Sequence, residues 1–151
     1  MKTIYVLLGC ALLWFAYRTW SGGGAADLYD PSRDAAADIE TSLDVAKNSG
    51  RRVLIVVGNN GCGWCLRLHE FIQDDAELRG LQDSRFVTVH VNMSPQKPNA
   101  EVLGRYPGLA GTPHLFVLDK DGTLLHSQDT EQLEAGESYD RAKLLDFLKS
   151  W

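Results

Sequence analysis

From Ile4 to Tyr17 the chain carries no charged side chain, and its apolar character extends past Arg18 to Trp20. As a helix this stretch rises to roughly 21–25 Å, short of the ~30 Å hydrocarbon core but within what local thinning and a snorkelling Arg18 accommodate. Trp14, Tyr17 and Trp20 gather at one end, as an interfacial belt does, and Lys2 lies on the other side, which predicts an N-terminus inside and the remainder outside. Residues 1–20 therefore read as a hydrophobic helix that anchors or exports the chain. A signal cleaved near Gly24-Ala25-Ala26 is a second reading. A lipoprotein signal at Leu7-Leu8-Gly9-Cys10 is a third, disfavoured because the apolar run continues past Cys10. All three export the rest of the chain. The connector at 21–31, SGGGAADLYDP, is too rich in glycine to hold regular structure cheaply, and the folded domain is expected over 32–151.

Within that domain the periodicity changes from segment to segment. Ser32 or Asp34 is placed to cap a helix whose apolar stripe runs through Ile39, Leu43, Val45 and Ala46 and stops at Asn48-Ser49-Gly50. Val53 to Val57, VLIVV, is a continuous β-branched and aliphatic run, the pattern of a strand buried on both faces. Trp64, Leu68, Phe71 and Ile72 repeat at helical spacing from Cys62 to about Asp74, and a second helical patch covers Asp75 to Leu81. Strands are predicted at Phe86–Val91 and His114–Leu118, with a short helix near Ala100–Arg105 between them. Asp121-Gly122 marks a hairpin whose return strand is Thr123–Ser127, and an amphipathic helix spans Tyr139–Leu148.

Composition narrows the classes of function. At 151 residues and 44% hydrophobic content the chain buries one ordinary core. A net charge of -5 with no Lys/Arg cluster argues against a nucleic-acid partner. No nucleotide, haem or flavin motif occurs, so no organic cofactor is implied. Three cysteines are too few for a disulfide framework, and Cys62 and Cys65 stand at redox or metal spacing.

A spacing of three on one helical turn sets their Cα atoms about 5–6 Å apart, within disulfide range. Cys62 at the helix N-terminus gains from unpaired N–H groups and the positive end of the dipole, which favour the thiolate. It reads as the attacking nucleophile, and Cys65, one turn deeper, as the residue that resolves a mixed disulfide. Zinc ribbons use the same spacing but in two pairs. The histidines His69, His90, His114 and His126 show no compact ligand spacing with this one, so no metal site is assigned. His69, four residues after Cys65 on the same helix, is the position from which a soft Cu or Zn site would be completed; such a metal-binding module is the alternative reading of the thiols.

Cys62-Gly63-Trp64-Cys65 after a buried strand, Gly111-Thr112-Pro113 before the next-to-last strand, and the Leu118-Asp119-Lys120-Asp121-Gly122 hairpin together resemble the thioredoxin superfamily, in particular its exported bacterial branch, from about Asp34 onward. The resemblance implies an α/β fold: a βαβ half followed by a ββα half, in three α/β/α layers around a central mixed sheet. It implies a cis Pro113 whose loop packs on the cysteine pair and, with Thr112, offers backbone groups to an extended substrate. Trp64 is a further substrate-facing position or a helix packing residue. The activity implied is protein thiol-disulfide exchange on cysteines of exported proteins, at the periplasmic face of a bacterial inner membrane or free in the periplasm, with a membrane redox partner restoring the pair. The chain departs from the cytosolic pattern in three places: no proline lies between the cysteines, Gly61 replaces a preceding Trp, and Val56 stands where those proteins bury an acid. Loss of the Pro and the Trp shifts the reduction potential, loss of the acid removes the group that helps deprotonate the resolving cysteine in reducing thioredoxins, and the direction of electron flow stays open.

Overall fold

The computed structural model describes residues 28–151. The segment read as an anchor or signal, Cys10 and most of the connector lie outside the described residues. Among those residues no helix is long and apolar enough to cross a membrane.

Asp34 accepts hydrogen bonds from the N–H groups of Ala36 and Ala37, opening helix α1 (Ala35–Ser49), which ends at Gly50 in the left-handed region at φ 71°. Strand β1 (Arg52–Gly58) comes next, buried from Val53 onward as its unbroken apolar run requires. Helix α2 (Gly63–Asp74) starts at the cysteine motif. The chain bends at Asp75, whose carboxylate caps helix α3 (Ala76–Arg85) and binds Arg141 at 2.6 Å. Strand β2 (Phe86–Asn92), a single helical turn α4 (Ala100–Leu103), and strands β3 (His114–Leu118) and β4 (Leu124–Asp129) complete the main body. A 3-10 turn (Thr130–Leu133), a two-residue ribbon of β5 (Glu134–Ala135) and β6 (Ser138–Tyr139), and helix α5 (Arg141–Ser150) close the chain.

The sheet runs β2-β1-β3-β4, with β1 parallel to β2 and antiparallel to β3, and β3 antiparallel to β4. The mixed central sheet expected from the resemblance is thus present. Alternation along β1 and β3 sends Val53, Ile55, Val57, Phe116 and Leu118 to one face, where they meet Ala35, Ile39 and Ala46 of α1. Leu54, Val56, Leu115 and Val117 point to the other, against Cys65, Leu68 and Ile72 of α2, Leu78 of α3, and Leu144, Phe147 and Leu148 of α5. Cys65 is therefore a member of the second core as well as of the cysteine pair.

Three details differ from the sequence expectation. The second helical patch runs to Arg85 because Leu78 and Gln82 both turn inward. The hairpin's return strand reaches Asp129, and the 3-10 turn and ribbon after it carry no periodicity long enough to announce them. Residues 28–31, read as connector, belong to the folded body. Tyr29 is fully buried: its N–H donates to Asn60 Oδ1 at 3.1 Å, and its carbonyl accepts from Asn60 Nδ2 at 3.2 Å and Asn92 Nδ2 at 2.6 Å.

Candidate functional site

The loop between β1 and α2 is folded by its own asparagines. Asn59 Oδ1 accepts from Gly61 N–H at 3.0 Å, Asn59 Nδ2 donates to the Met93 carbonyl at 3.1 Å, and Cys62 N–H donates to the Asn59 carbonyl at 3.1 Å. This turn delivers Cys62 in extended conformation at the N-cap of α2, where its Sγ accepts from Cys65 N–H at 3.2 Å. The helix-start placement expected from the sequence holds. Cys62 and Cys65 form a disulfide with Cα atoms 5.2 Å apart. Cys62 is partly exposed, and Cys65 is 1% exposed. The outer sulfur is thus open to attack and the inner one is sealed under the helix.

Thr112 and Pro113 face this pair from the loop before β3. Thr112 Oγ1 donates toward Cys62 Sγ at 3.7 Å and its carbonyl lies 3.6 Å from the same sulfur. The Thr112–Pro113 peptide bond is cis. The Pro113 carbonyl is turned inward and accepts from the buried Thr130 Oγ1 at 2.6 Å. Thr130 is a positioning residue that the sequence did not signal, since its partner lies 17 residues away. Trp64, Gly111, Thr112 and Pro113 share an open cleft of about 110 Å³ beside the disulfide, rimmed by Asp129, Glu131 and Glu134. Burial, then the neighbouring Glu131 and Asp129, push the Glu134 carboxyl up from its ordinary value.

Trp64 is a helix packing residue that also forms part of the cleft wall. Its ring packs edge-on against Tyr139 with centroids 5.5 Å apart, and the Arg67 guanidinium lies 4.8 Å from its centroid. Tyr139 Oη donates to the Trp64 carbonyl at 3.2 Å, and burial pushes the Tyr139 hydroxyl up to about 12.

Among the described residues no group of three or more His, Cys, Asp or Glu side chains is arranged to hold a metal. His69, the position weighed for such a role, lies beside His90, with ring centroids 5.8 Å apart, and His90 meets the Tyr29 ring edge-on at 5.3 Å. Burial and then His69 lower the His90 imidazole from 6.5 to about 4. An unfolded chain binds this proton near pH 6.5 while the folded one refuses it, so His90's contribution to stability is full above pH 6.5 and is lost as the pH falls toward 4. The loss is on the order of 2 kcal/mol once partial solvent contact is allowed for. Urea titrations at pH 7 and pH 4.5 should show the stability gap between the wild type and His90→Gln shifting by about that amount toward the variant at the lower pH. A gap independent of pH contradicts this assignment.

A profile of the thioredoxin-like domain family matches residues 39–134. Among solved structures, the chain is similar to a disulphide isomerase from Xylella fastidiosa Temecula1, with 22% identity, TM-score 0.71 and coverage of 81% of this chain and 94% of that one. It is similar also to the oxidised C-terminal domain of DsbD from Neisseria meningitidis, with 19% identity, TM-score 0.57 and coverage of 78% and 97%. A thioredoxin from Thermus thermophilus aligns at 24% identity and TM-score 0.51, covering 74% and 81%. Among curated proteins no sequence matches. These likenesses concern the fold; the chemistry rests on the arrangement of Cys62, Cys65, Thr112 and Pro113.

Proposed function

The chain belongs to the thioredoxin-like domain family, and from that premise we propose that it is a protein thiol-disulfide oxidoreductase working through Cys62 and Cys65. The observation that carries the reading is the asymmetry of the pair: one sulfur partly exposed at a helix N-terminus beneath Thr112, the other buried. In the reduced protein the Cys62 thiolate is favoured by the Cys65 N–H, the Thr112 hydroxyl and the helix dipole. It attacks one sulfur of a substrate disulfide; that S–S bond breaks, and the departing substrate thiolate takes a proton from water. Cys65 then attacks Cys62, releasing the second substrate thiol and leaving the intramolecular disulfide. Two electrons pass from the pair to the substrate, and the reverse sequence oxidises a substrate dithiol.

The cleft beside the pair suits an extended segment, with Trp64 as an aromatic contact and the Thr112–Pro113 loop as its floor. The substrates of this reading are cysteines of exported proteins, and a membrane redox partner regenerates the pair. Residues 4–20 hold the domain at the periplasmic face of a bacterial inner membrane, or are removed to free it into the periplasm. The apolar run and its flanking charges support that location.

Reduction of a protein disulfide such as insulin's, driven by dithiothreitol, tests the activity. Cys62→Ser should reduce turnover to background, and Cys65→Ser should accumulate mixed disulfides detectable by mass spectrometry. Wild-type turnover in both variants overturns the reading. Protease accessibility of the domain in osmotically opened cells tests the location, and protection there contradicts it.

A further inference from the structure

Behind the disulfide, on the core side, lies a small cavity of about 20 Å³, bordered by Cys65, Tyr29, His69, Gln82 and His90 with apolar side chains for the rest of its wall. That room accommodates a single water molecule. A buried water also needs two or more polar partners, and the wall supplies them. Tyr29 Oη and Gln82 Oε1 are both buried without a hydrogen-bond partner, while the Gln82 amide nitrogen is engaged with Thr88 Oγ1 at 3.1 Å, which fixes the direction of its carbonyl. Two orphaned oxygens on one water-sized cavity are hard to account for unless something polar joins them.

Cys65 Sγ stands at the same place. A Cβ built on Gly58 would meet Cys65 Sγ at 2.7 Å and Tyr29 Oη at 2.8 Å. Sulfur and hydroxyl therefore lie near one point and are no farther apart than one bridging water spans. His69 lies four residues after Cys65 on α2, the spacing that stacks two side chains on one helix face. It is partly exposed, so it reaches both the cavity wall and solvent.

Resolution of a mixed disulfide requires Cys65, which is 1% exposed, to lose its proton away from bulk water. No carboxylate borders the cavity, and Val56 occupies the inner face of β1 there. We propose that His69 accepts the Cys65 proton through one water held by Tyr29 Oη and Gln82 Oε1, and passes it to solvent as Cys65 attacks. This rests on the oxidoreductase reading above. In the step, the Cys65 S–H bond breaks and its proton moves by way of the water to the His69 imidazole. The Cys65–Cys62 bond forms, the bond from Cys62 to the substrate sulfur breaks, and the substrate leaves as a thiolate that is protonated from bulk water. His69 then returns its proton to solvent.

The groups facing His69 leave it as the acceptor. Tyr29 comes from the segment before α1, and burial pushes its hydroxyl upward, so it stays neutral and only relays. His90, from β2, is held neutral at physiological pH by burial and by His69 itself, and holds a proton poorly. The α5 side chains on the wall, Leu144, Phe147 and Leu148, carry no charge. His69 acts through the water and is a positioning and proton-accepting residue, not one that touches the reacting sulfurs.

The test uses a single turnover of the reduced full-length protein with glutathione disulfide, with acid quench and mass spectrometry to count the glutathione adduct on Cys62. His69→Gln should form the adduct at the wild-type rate but resolve it at least about tenfold more slowly at pH 6–7. Tyr29→Phe, which removes one oxygen and little volume, should slow resolution in the same pH range by a smaller factor. Both should converge on the wild type near pH 10, where hydroxide deprotonates Cys65 directly. Resolution within twofold of wild type at pH 6–7 in His69→Gln overturns the inference alone, as does slowing by one constant factor at every pH. If the wild type forms no adduct and reduces no glutathione disulfide, the oxidoreductase reading fails and this inference with it.

Discussion

Replacing Gly58 by alanine should destabilise the oxidised protein by about 2–3 kcal/mol, the upper part of the range for overpacking a core. Gly58 ends β1 and pairs with Asn92 of β2, one residue past the last β3 pair at Val57, so its backbone is held from the β2 side. Its carbonyl accepts from Met93 N–H at 2.7 Å, which pins it further. A methyl group there would sit 2.7 Å from Cys65 Sγ and 2.8 Å from both Cζ and Oη of Tyr29. Neither neighbour yields readily: the sulfur is held in a disulfide on a packed helix, and the Tyr29 ring is fully buried. Gly63→Ala makes the matching control, since a Cβ at that first helical position meets nothing within 4 Å. It should be neutral or slightly stabilising through helix propensity. Urea unfolding of both variants measures the difference, and equal midpoints would show that the space around Gly58 is not tight.

The contrast between these glycines separates what a sequence displays from what it conceals. Both lie close to Cys62 in the sequence, one ending β1 and the other opening α2, and residue type alone does not distinguish them. The displayed part is periodic or covalent. The VLIVV run marks a central strand because two buried faces demand apolar residues at every position. Cys62 and Cys65 fall on one turn because helical geometry puts them there. Asp121-Gly122 specifies a turn because Gly122 adopts φ 89°, a conformation costly for other residues. The concealed part depends on partners far along the chain. Thr130 fixes the Pro113 carbonyl through a contact that no spacing rule foretells. Tyr29 sits beside glycines and aspartates in a segment whose composition signals a connector, yet amides 31 and 63 residues later bind its backbone. The one local hint is the Leu28-Tyr29 pair itself, two large apolar side chains where a solvated linker needs none.

Tyr29→Ala should accordingly cost about 3–5 kcal/mol, as removal of a buried aromatic side chain does elsewhere. The ring fills the second core beside Leu54, Val56 and Cys65, and packs against His90 at 5.3 Å. Its loss leaves a cavity that the clamped backbone is unable to close, because Asn60 and Asn92 continue to hold residue 29 in place. Tyr29→Phe should stay within about 1 kcal/mol of wild type: the hydroxyl has no partner in the protein, and removing it gives up at most a water contact while relieving a buried orphan oxygen. Chemical denaturation monitored by tryptophan fluorescence distinguishes the two, and a loss under about 1 kcal/mol for Tyr29→Ala would mean that residues 28–31 drape over the domain without supporting it. The pair also divides structure from chemistry at the cysteines. If packing alone ties Tyr29 to Cys65, Tyr29→Phe preserves both stability and the pH profile of disulfide resolution, whereas if the hydroxyl holds the relaying water the same variant keeps its stability and alters only the profile.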